Sequence, residues 1–250
     1  MPCRSARSVG ISACLTALLL LAGCSNAPTT RGKAPDRDME AKEWGQSDVN
    51  RMATLSMQAN LQSLYTLMDK LYRRNPQEWR KGGFDSREQA MKAVKQAIEN
   101  QQPWPDLMDQ RDIDGMSMAL APEFSSDRVA AFTWATADML ITAYGGRTTL
   151  YLIHGLDAQT VYNASRNLEI ANWMLTHRKL SNGQPMLLTN EINTSERNLS
   201  FEREFGKMIA RNDLMADVVS EKYRRAVIGY VQGLAGGSLL QFLPVQAVAH

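Results

Sequence analysis

Residues 126–144, SDRVAAFTWATADMLITAY, decide the fold. After the polar start, apolar side chains occupy nearly every direction around a helix built from this stretch. A helix that is apolar all round is typical of the centre of a bundle, where other helices cover every face. Gly145 and Gly146 follow and end the predicted helix.

Asp138 is the exception within this stretch. A carboxylate in apolar surroundings is costly unless it is paired or protonated. We therefore expect a partner such as Arg147 or a backbone amide, or a protonated acid. Asp138 is the best candidate acid in the chain, and a satisfied structural carboxylate is the alternative.

Three amphipathic helices are predicted around the central one, over residues 47–74, 86–100 and 157–177. The first carries an apolar stripe at alternating spacings of four and three residues, formed by Met57, Leu61, Leu64, Met68 and Leu71. Pro76 ends that helix, and Asp157 is suited to cap the third. These helices supply the apolar faces that the central helix needs.

The C-terminal part predicts two further helices, with apolar stripes over residues 201–209 and 215–234 and Asp213 as a cap between them. The uncharged segment 226–249 follows basic residues and holds Gly229 and Gly233 at a spacing that lets membrane helices approach closely. Glutamines, a glycine pair and Pro244 interrupt it. We therefore predict that it packs inside the bundle instead of contacting the membrane.

Residues 148–153 fit either a short strand pairing with residues 185–189 or a helical turn. The sequence therefore predicts an all-α protein, a helical bundle of about six or seven helices, with room for one short two-stranded β element. The bundle is expected over residues 47–250.

The N-terminus has the order of a secretory signal, with Arg4 and Arg7 before an apolar run that ends in Leu21-Ala22-Gly23-Cys24. The run is too short to span a bilayer. This ending resembles the lipobox of bacterial lipoproteins. The resemblance implies cleavage before Cys24, palmitate-type acylation of its thiol and new amino group, a removed signal peptide over residues 1–23, and a lipidated tether over residues 24–46.

Lipid on Cys24 implies a stable membrane anchor, because two or more acyl chains hold a protein firmly. In the lipoproteins that this chain resembles, aspartate after the cysteine favours the inner membrane, whereas Ser25 and Asn26 follow here. The resemblance thus implies an outer-membrane protein that faces the periplasm.

Cysteine use and charge exclude several classes of protein. Cys3 and Cys14 lie in the predicted signal peptide and Cys24 carries the lipid, so the domain has no thiol for a disulfide, a zinc site or catalysis. The chain has 28 basic and 26 acidic residues, and loss of Arg4 and Arg7 makes the mature protein formally neutral. Neutrality without a basic block argues against nucleic acid as a partner.

No cofactor or metal site is predicted. An EF-hand alignment on Gly115 puts Asp112 and Asp114 at ligand positions, but Gln110 and Ala121 replace the first and last ligands. The three histidines are scattered, and no hydrolase or phosphate-binding motif is present.

By elimination, the chain is predicted to be a binding or scaffold component of a cell-envelope process, with an envelope protein or glycan as partner. Arg166 and Asn167 lie on an amide-rich helix surface that suits a polar ligand. A peptidoglycan- or glycan-acting hydrolase is the alternative, with an acid drawn from Glu191, Glu196, Glu202 or Glu204.

Cys24→Ala should prevent cleavage at this site and lipidation, because the thiol is the acceptor that the lipobox resemblance implies. Labelling cells with a fatty-acid analogue measures this directly. Equal label on the variant and the parent would contradict the prediction.

Overall fold

The computed structural model describes residues 40–192 and 197–240 of the chain. The predicted lipid-bearing Cys24, the signal peptide, most of the predicted tether, Glu196 and residues 241–250 lie outside the described residues. The predictions made for them stay predictions.

The described residues form seven α-helices, two short 3₁₀-helices and one pair of very short strands. The α-helices are α1 (Asp48–Arg74), α2 (Pro76–Lys81), α3 (Arg87–Glu99), α4 (Asp112–Ala119), α5 (Arg128–Ala143), α6 (Ala158–His177) and α7 (Ser200–Leu240). The 3₁₀-helices are Ala41–Gly45 and Pro105–Leu107, and the antiparallel strands are β1 (Glu191–Ile192) and β2 (Arg197–Asn198). The predicted all-α bundle is confirmed.

Helix α5 lies at the centre of the bundle, as its sequence predicts. Every residue from Arg128 to Ile141 is buried except Asp138, which is partly exposed. Helices α1, α2, α3, α4 and α6 all contact it. The core therefore sits on all sides of α5, and the other helices are arranged by their need to cover it.

Side-chain caps fix where four of the helices begin. Ser47, Ser86, Asp127 and Asp157 each accept a hydrogen bond from a backbone N–H three residues later. Each cap satisfies one of the amide groups that a helix start leaves without an internal partner. The predicted start positions of α1, α3 and α6 agree with these caps.

The domain begins earlier than predicted. The 3₁₀-helix Ala41–Gly45 precedes α1, and the Gln46 side chain donates from Nε2 to Leu150 O at 2.6 Å and to Thr54 Oγ1 at 3.0 Å. Residues assigned to the end of the tether are thus bonded to the bundle.

Helix α7 is continuous, so the prediction of two helices with Asp213 as a cap between them is wrong. The two predicted stripes are joined by Asn212, which is fully buried where a continuous apolar stripe would place an apolar residue. Its Oδ1 accepts hydrogen bonds from Asn60 Nδ2 at 3.0 Å and from the Tyr144 hydroxyl at 2.8 Å. A bonded amide therefore replaces an apolar contact in the stripe.

The predicted pairing of residues 148–153 with residues 185–189 does not form. Side chains of α1 and its flanks take up the backbone groups instead: Leu150 N donates to Thr54 Oγ1, and Leu188 N donates to Asn75 Oδ1. The strands lie at β1 and β2, and Pro185 forms an isolated bridge with Lys179.

The prediction that segment 226–249 packs inside the bundle is wrong for the part that the structure describes. Val227, Tyr230 and Val231 are exposed, and the last buried side chain of α7 within the described residues is that of Val219. The bonds Asn172–Glu202, Arg166–Asp213 and Tyr223–Leu156 show that α7 runs antiparallel to α6. Helix α6 starts at Ala158, so α7 runs past the point where its neighbour begins.

The apolar exposure of this extension does not amount to a spanning helix. Across residues 40–192 and 197–240, no helix is both long enough and apolar enough to cross a membrane.

A buried polar network holds the start of α5. The Tyr72 hydroxyl donates to Asp127 Oδ2 at 2.8 Å, while Asp127 Oδ1 caps α5 by accepting from Ala130 N at 2.9 Å. Glu78, 1% exposed, accepts from Arg128 N at 3.0 Å and from Lys81 Nζ at 2.7 Å. The network joins α1 and α2 to the start of α5.

Burial raises the pKa of Asp127 to about 6, and the charge of Glu78 adds to this effect, although the hydrogen bonds from Ala130 and Tyr72 oppose it. The folded state therefore binds a proton more tightly than the unfolded chain. This stabilisation is complete below the ordinary aspartate pKa of about 4 and is lost as the pH rises through about 6.

Asp127→Asn should remove that loss, because the amide keeps a capping oxygen but does not ionise. Between pH 4 and pH 6.5 the free energy of unfolding of the parent should fall relative to that of Asp127→Asn by about 2–3 kcal/mol. Chemical denaturation at both pH values measures the difference.

The matched control is Asp157→Asn, which changes the exposed cap of α6. It should follow the parent across the same pH range. If the free energies of unfolding of the parent and Asp127→Asn changed in parallel with pH, ionisation of Asp127 would not be the cause of the loss.

Candidate functional site

A groove runs along α5 between the segment 101–112 and the start of α6. It consists of three adjoining depressions, and we call it the α5 groove. The first, of about 220 Å³, is lined by Gln101, Pro103, Trp104, Asp109, Gln110, Arg111, Trp134 and Asp138. The second, of about 40 Å³, shares Arg111 and Asp138 and reaches Thr142. The third, of about 170 Å³, is lined by Asp112, Met139, Thr142, Ala143, Thr160, Asn163, Ala164 and Asn167.

Asp138 lies in this groove and is paired with Arg111, not with Arg147 as expected. Arg111 Nε donates to Asp138 Oδ2 at 2.9 Å, and its terminal nitrogen donates to Oδ1. The bond to Asp138 raises the pKa of the Arg111 guanidinium. Arg147 instead donates to Gly145 O at 2.8 Å. Asp138 is therefore a paired carboxylate at the groove surface, and the guanidinium of Arg111 balances its charge.

Two tryptophans lie beside this ion pair. The Trp134 indole N–H donates to Gln102 O at 2.9 Å, which ties α5 to the loop that follows α3. The Trp104 Nε1 atom is buried, and among the described residues no hydrogen-bond acceptor reaches it. A donor buried without an acceptor is costly, and the residue that carries it also lines the first depression.

The backbone of this wall is strained. Gln101, Met108, Asp109 and Asp112 have φ between 46° and 64°, and no other non-glycine residue of the described chain has a positive φ. Left-handed conformations are unfavourable for residues with a side chain, and they concentrate where the surrounding structure fixes a functional segment. All four residues lie in the segment 101–112, so the fold holds this wall in place against its local preference.

Asp112 is the acid that sequence reasoning missed. Its Oδ1 atom is buried and has no hydrogen-bond partner among the described residues. Burial raises its pKa, and the charge of Asp138 raises it further. Asp112 is the first residue of helix α4 and lines the third depression.

The glycine that suggests an EF-hand has a packing role. A β-carbon on Gly115 would lie 2.9 Å from Gln110 O and 3.1 Å from the Ala135 β-carbon. Gly115 therefore lets α4 approach α5 closely, and the segment around it is a helix instead of a calcium-binding loop.

The other two predicted site residues separate. Asn167 lines the third depression together with Asn163. Arg166 is directed to α7, where its guanidinium donates to both carboxylate oxygens of Asp213 at 2.9 Å and lies over the Tyr162 ring. Asp138 and Asn167 thus belong to the groove, whereas Arg166 binds two helices together.

The shape of the groove limits its ligand. Each depression is smaller than the roughly 300–1,000 Å³ of an enclosed small-molecule pocket. A depression of about 440 Å³ lies nearby between Met108, Met118 and Phe124, and the charged residues of its lining are two carboxylates, Asp106 and Glu123. The α5 groove instead suits an extended ligand that lies across several shallow depressions.

No family model matches this chain, and no curated protein or solved structure matches it either.

Arg111→Gln should destabilise the protein by about 1–3 kcal/mol, because it leaves the mostly buried Asp138 without its cation. Asp138→Asn should cost less, since Arg111 is largely exposed and regains water. The double variant should lose less stability than the two single losses added together. Denaturation midpoints of the four proteins measure this coupling. Additive losses would contradict an energetically important pair.

Proposed function

We propose that this protein is a lipid-anchored lipoprotein of the outer membrane that faces the periplasm and binds an extended polar ligand, a glycan strand of the envelope, in the α5 groove. In this role it is a binding or scaffold component of a cell-envelope process. The observation that carries the proposal is the meeting of Trp104 and Trp134 with the Arg111–Asp138 pair in an open groove.

Glycans suit this combination of groups. The apolar faces of sugar rings pack on aromatic side chains, while their hydroxyl groups exchange hydrogen bonds with charged and amide groups. Gln101 and Gln110 adjoin the tryptophans in the first depression, and Asn163 and Asn167 lie in the third.

Binding is favoured over catalysis because Asp138 already has both oxygens engaged by Arg111. A carboxylate in that state is poorly placed to take up a proton or attack a sugar. The pair is better suited to orient hydroxyl groups, since each partner presents its remaining donors or acceptors to the groove.

A hydrolase is the second candidate, and Asp112 is the observation that favours it. Glycosidases use an acid whose pKa is raised together with a second, ionised carboxylate. Asp112 has the raised pKa, and Asp138 is near enough to contribute to it. Asp112 replaces the glutamates that sequence reasoning offered as acids.

Soluble peptidoglycan fragments should quench or shift the tryptophan fluorescence of the full-length protein on titration. Trp104→Ala should weaken this binding about tenfold, because it removes one stacking surface. Trp173→Ala is the matched control, since Trp173 is exposed on α6 and stacks on His177. Equal binding by all three proteins would contradict the groove as the site.

A zymogram on cell-wall substrate separates the two candidates. The binding proposal expects no clearing by the parent protein. Clearing that disappears in Asp112→Asn would establish the hydrolase instead.

A further inference from the structure

One end of the domain exposes large apolar side chains from three separate segments. Trp44 in the first 3₁₀-helix is 81% exposed, and Ile153 in the loop after α5 is 90% exposed. Leu152 lies beside Ile153, and Val227 and Tyr230 lie on the extension of α7. We call these five residues the apolar end. Burying large apolar side chains stabilises a protein, so a cluster left in water points to something that covers it.

The loop that carries Leu152 and Ile153 is held in position. Leu152 N donates to Gly45 O at 2.8 Å, which places the loop against the 3₁₀-helix of Trp44. The buried Asn50 side chain donates to the carbonyl oxygens of Tyr151 and His154, on either side of the loop tip. The side chains of Leu152 and Ile153 therefore project from a backbone that is held in place.

Helix α7 leaves the bundle at this same end. The Tyr223 hydroxyl donates to Leu156 O at 3.3 Å, directly after the loop. From Ala226 to Leu234 the helix has no charged residue, and the side chains described there are mostly exposed. The loop from Leu150 to Leu156 also lacks Asp, Glu, Lys and Arg.

Basic residues stand at the root of the extension. Lys222, Arg224 and Arg225 immediately precede the uncharged part, and Glu221 pairs with both arginines. Three cations against one carboxylate leave a net positive charge on this turn of α7, next to the uncharged extension. That arrangement matches anionic lipid headgroups above an acyl-chain region.

The chain also enters the domain at this end, since Trp44 and Gly45 precede α1. Sixteen residues separate Cys24 from Ala41, so a fully extended connection spans at most roughly 60 Å. The proximity of this end to a membrane rests on the proposed lipid anchor at Cys24. An anchor attached at this end keeps the apolar end close to the bilayer, where a modest affinity is enough for contact.

We infer that the apolar end docks on the surface of the membrane that carries the anchor. Trp44, Leu152 and Ile153 enter the headgroup region, where tryptophan and tyrosine are favoured, and the α7 extension lies along it. Side-by-side pairing of two copies through this end is disfavoured, because it would bring their basic clusters together.

The test uses the full-length lipidated protein in vesicles of phosphatidylethanolamine and phosphatidylglycerol. Ile153→Cys carries an environment-sensitive fluorophore, and Ser181→Cys, in the turn beyond the opposite end of α6, is the matched control. Lipids brominated on their acyl chains should lower the emission at position 153 about twofold and leave position 181 unchanged, because only the apolar end reaches the acyl-chain boundary.

Two further variants make the test specific. Leu152→Asp, added to Ile153→Cys, should abolish the quenching, whereas Leu188→Asp, an exposed site bonded near the end of α1, should preserve it. Unquenched emission at position 153 would overturn the inference. A blue shift without quenching would also overturn it, and would indicate a second copy or another protein on this surface.

Failure of the lipid anchor is recognised separately. If Cys24 is not acylated, the parent without an introduced cysteine takes up the fluorophore, whatever happens at position 153.

Discussion

Helix α5 has no face that tolerates water, and this constraint organises the domain. Buried residues run from Arg128 to Ile141 with one interruption at Asp138, so neighbours are required on every side. Five helices supply them. Asp138, the one charged position of α5 beyond its first residue, then becomes the place where the cover opens, because it needs a cation that reaches in from a partly exposed segment. The α5 groove is thus a consequence of placing one carboxylate in an otherwise apolar central helix.

Polar side chains of the bundle hold its irregular segments. Near one end, Asn50 and Thr54 bind the backbone of the loop after α5, and near the other, Asn75 binds both N–H and C=O of Leu188. Each of these bonds joins residues that are more than ninety positions apart along the chain. Buried amides and hydroxyls that satisfy loop backbone groups replace the strand pairing which the same segments suggest by their composition.

Periodicity predicted the long helices and their caps because those features depend on neighbours three or four residues apart. It failed where a distant partner decides. Asn212 interrupts the apolar stripe of α7, yet its Oδ1 atom accepts hydrogen bonds from Asn60 and Tyr144, so the sequence predicts two helices where the structure has one. Proximity in sequence favoured Arg147 as the partner of Asp138, whereas folding brings Arg111 there. Buried polar pairs leave no periodic signal, since their spacing is set by the fold.

The two proposed binding surfaces have different physical origins. The α5 groove combines a strained wall, an unpaired Trp104 donor and a buried Asp112 oxygen without a partner, each of which costs folding free energy. Exposing the side chains of the apolar end to water costs free energy. Asn50 fixes the loop of Leu152 and Ile153, and α7 is long enough to carry Val227 and Tyr230 beyond the bundle. The helices that cover α5 leave both of these surfaces uncovered. Their exposure on rigid supports is the physical argument for the proposal that each binds a ligand of its own.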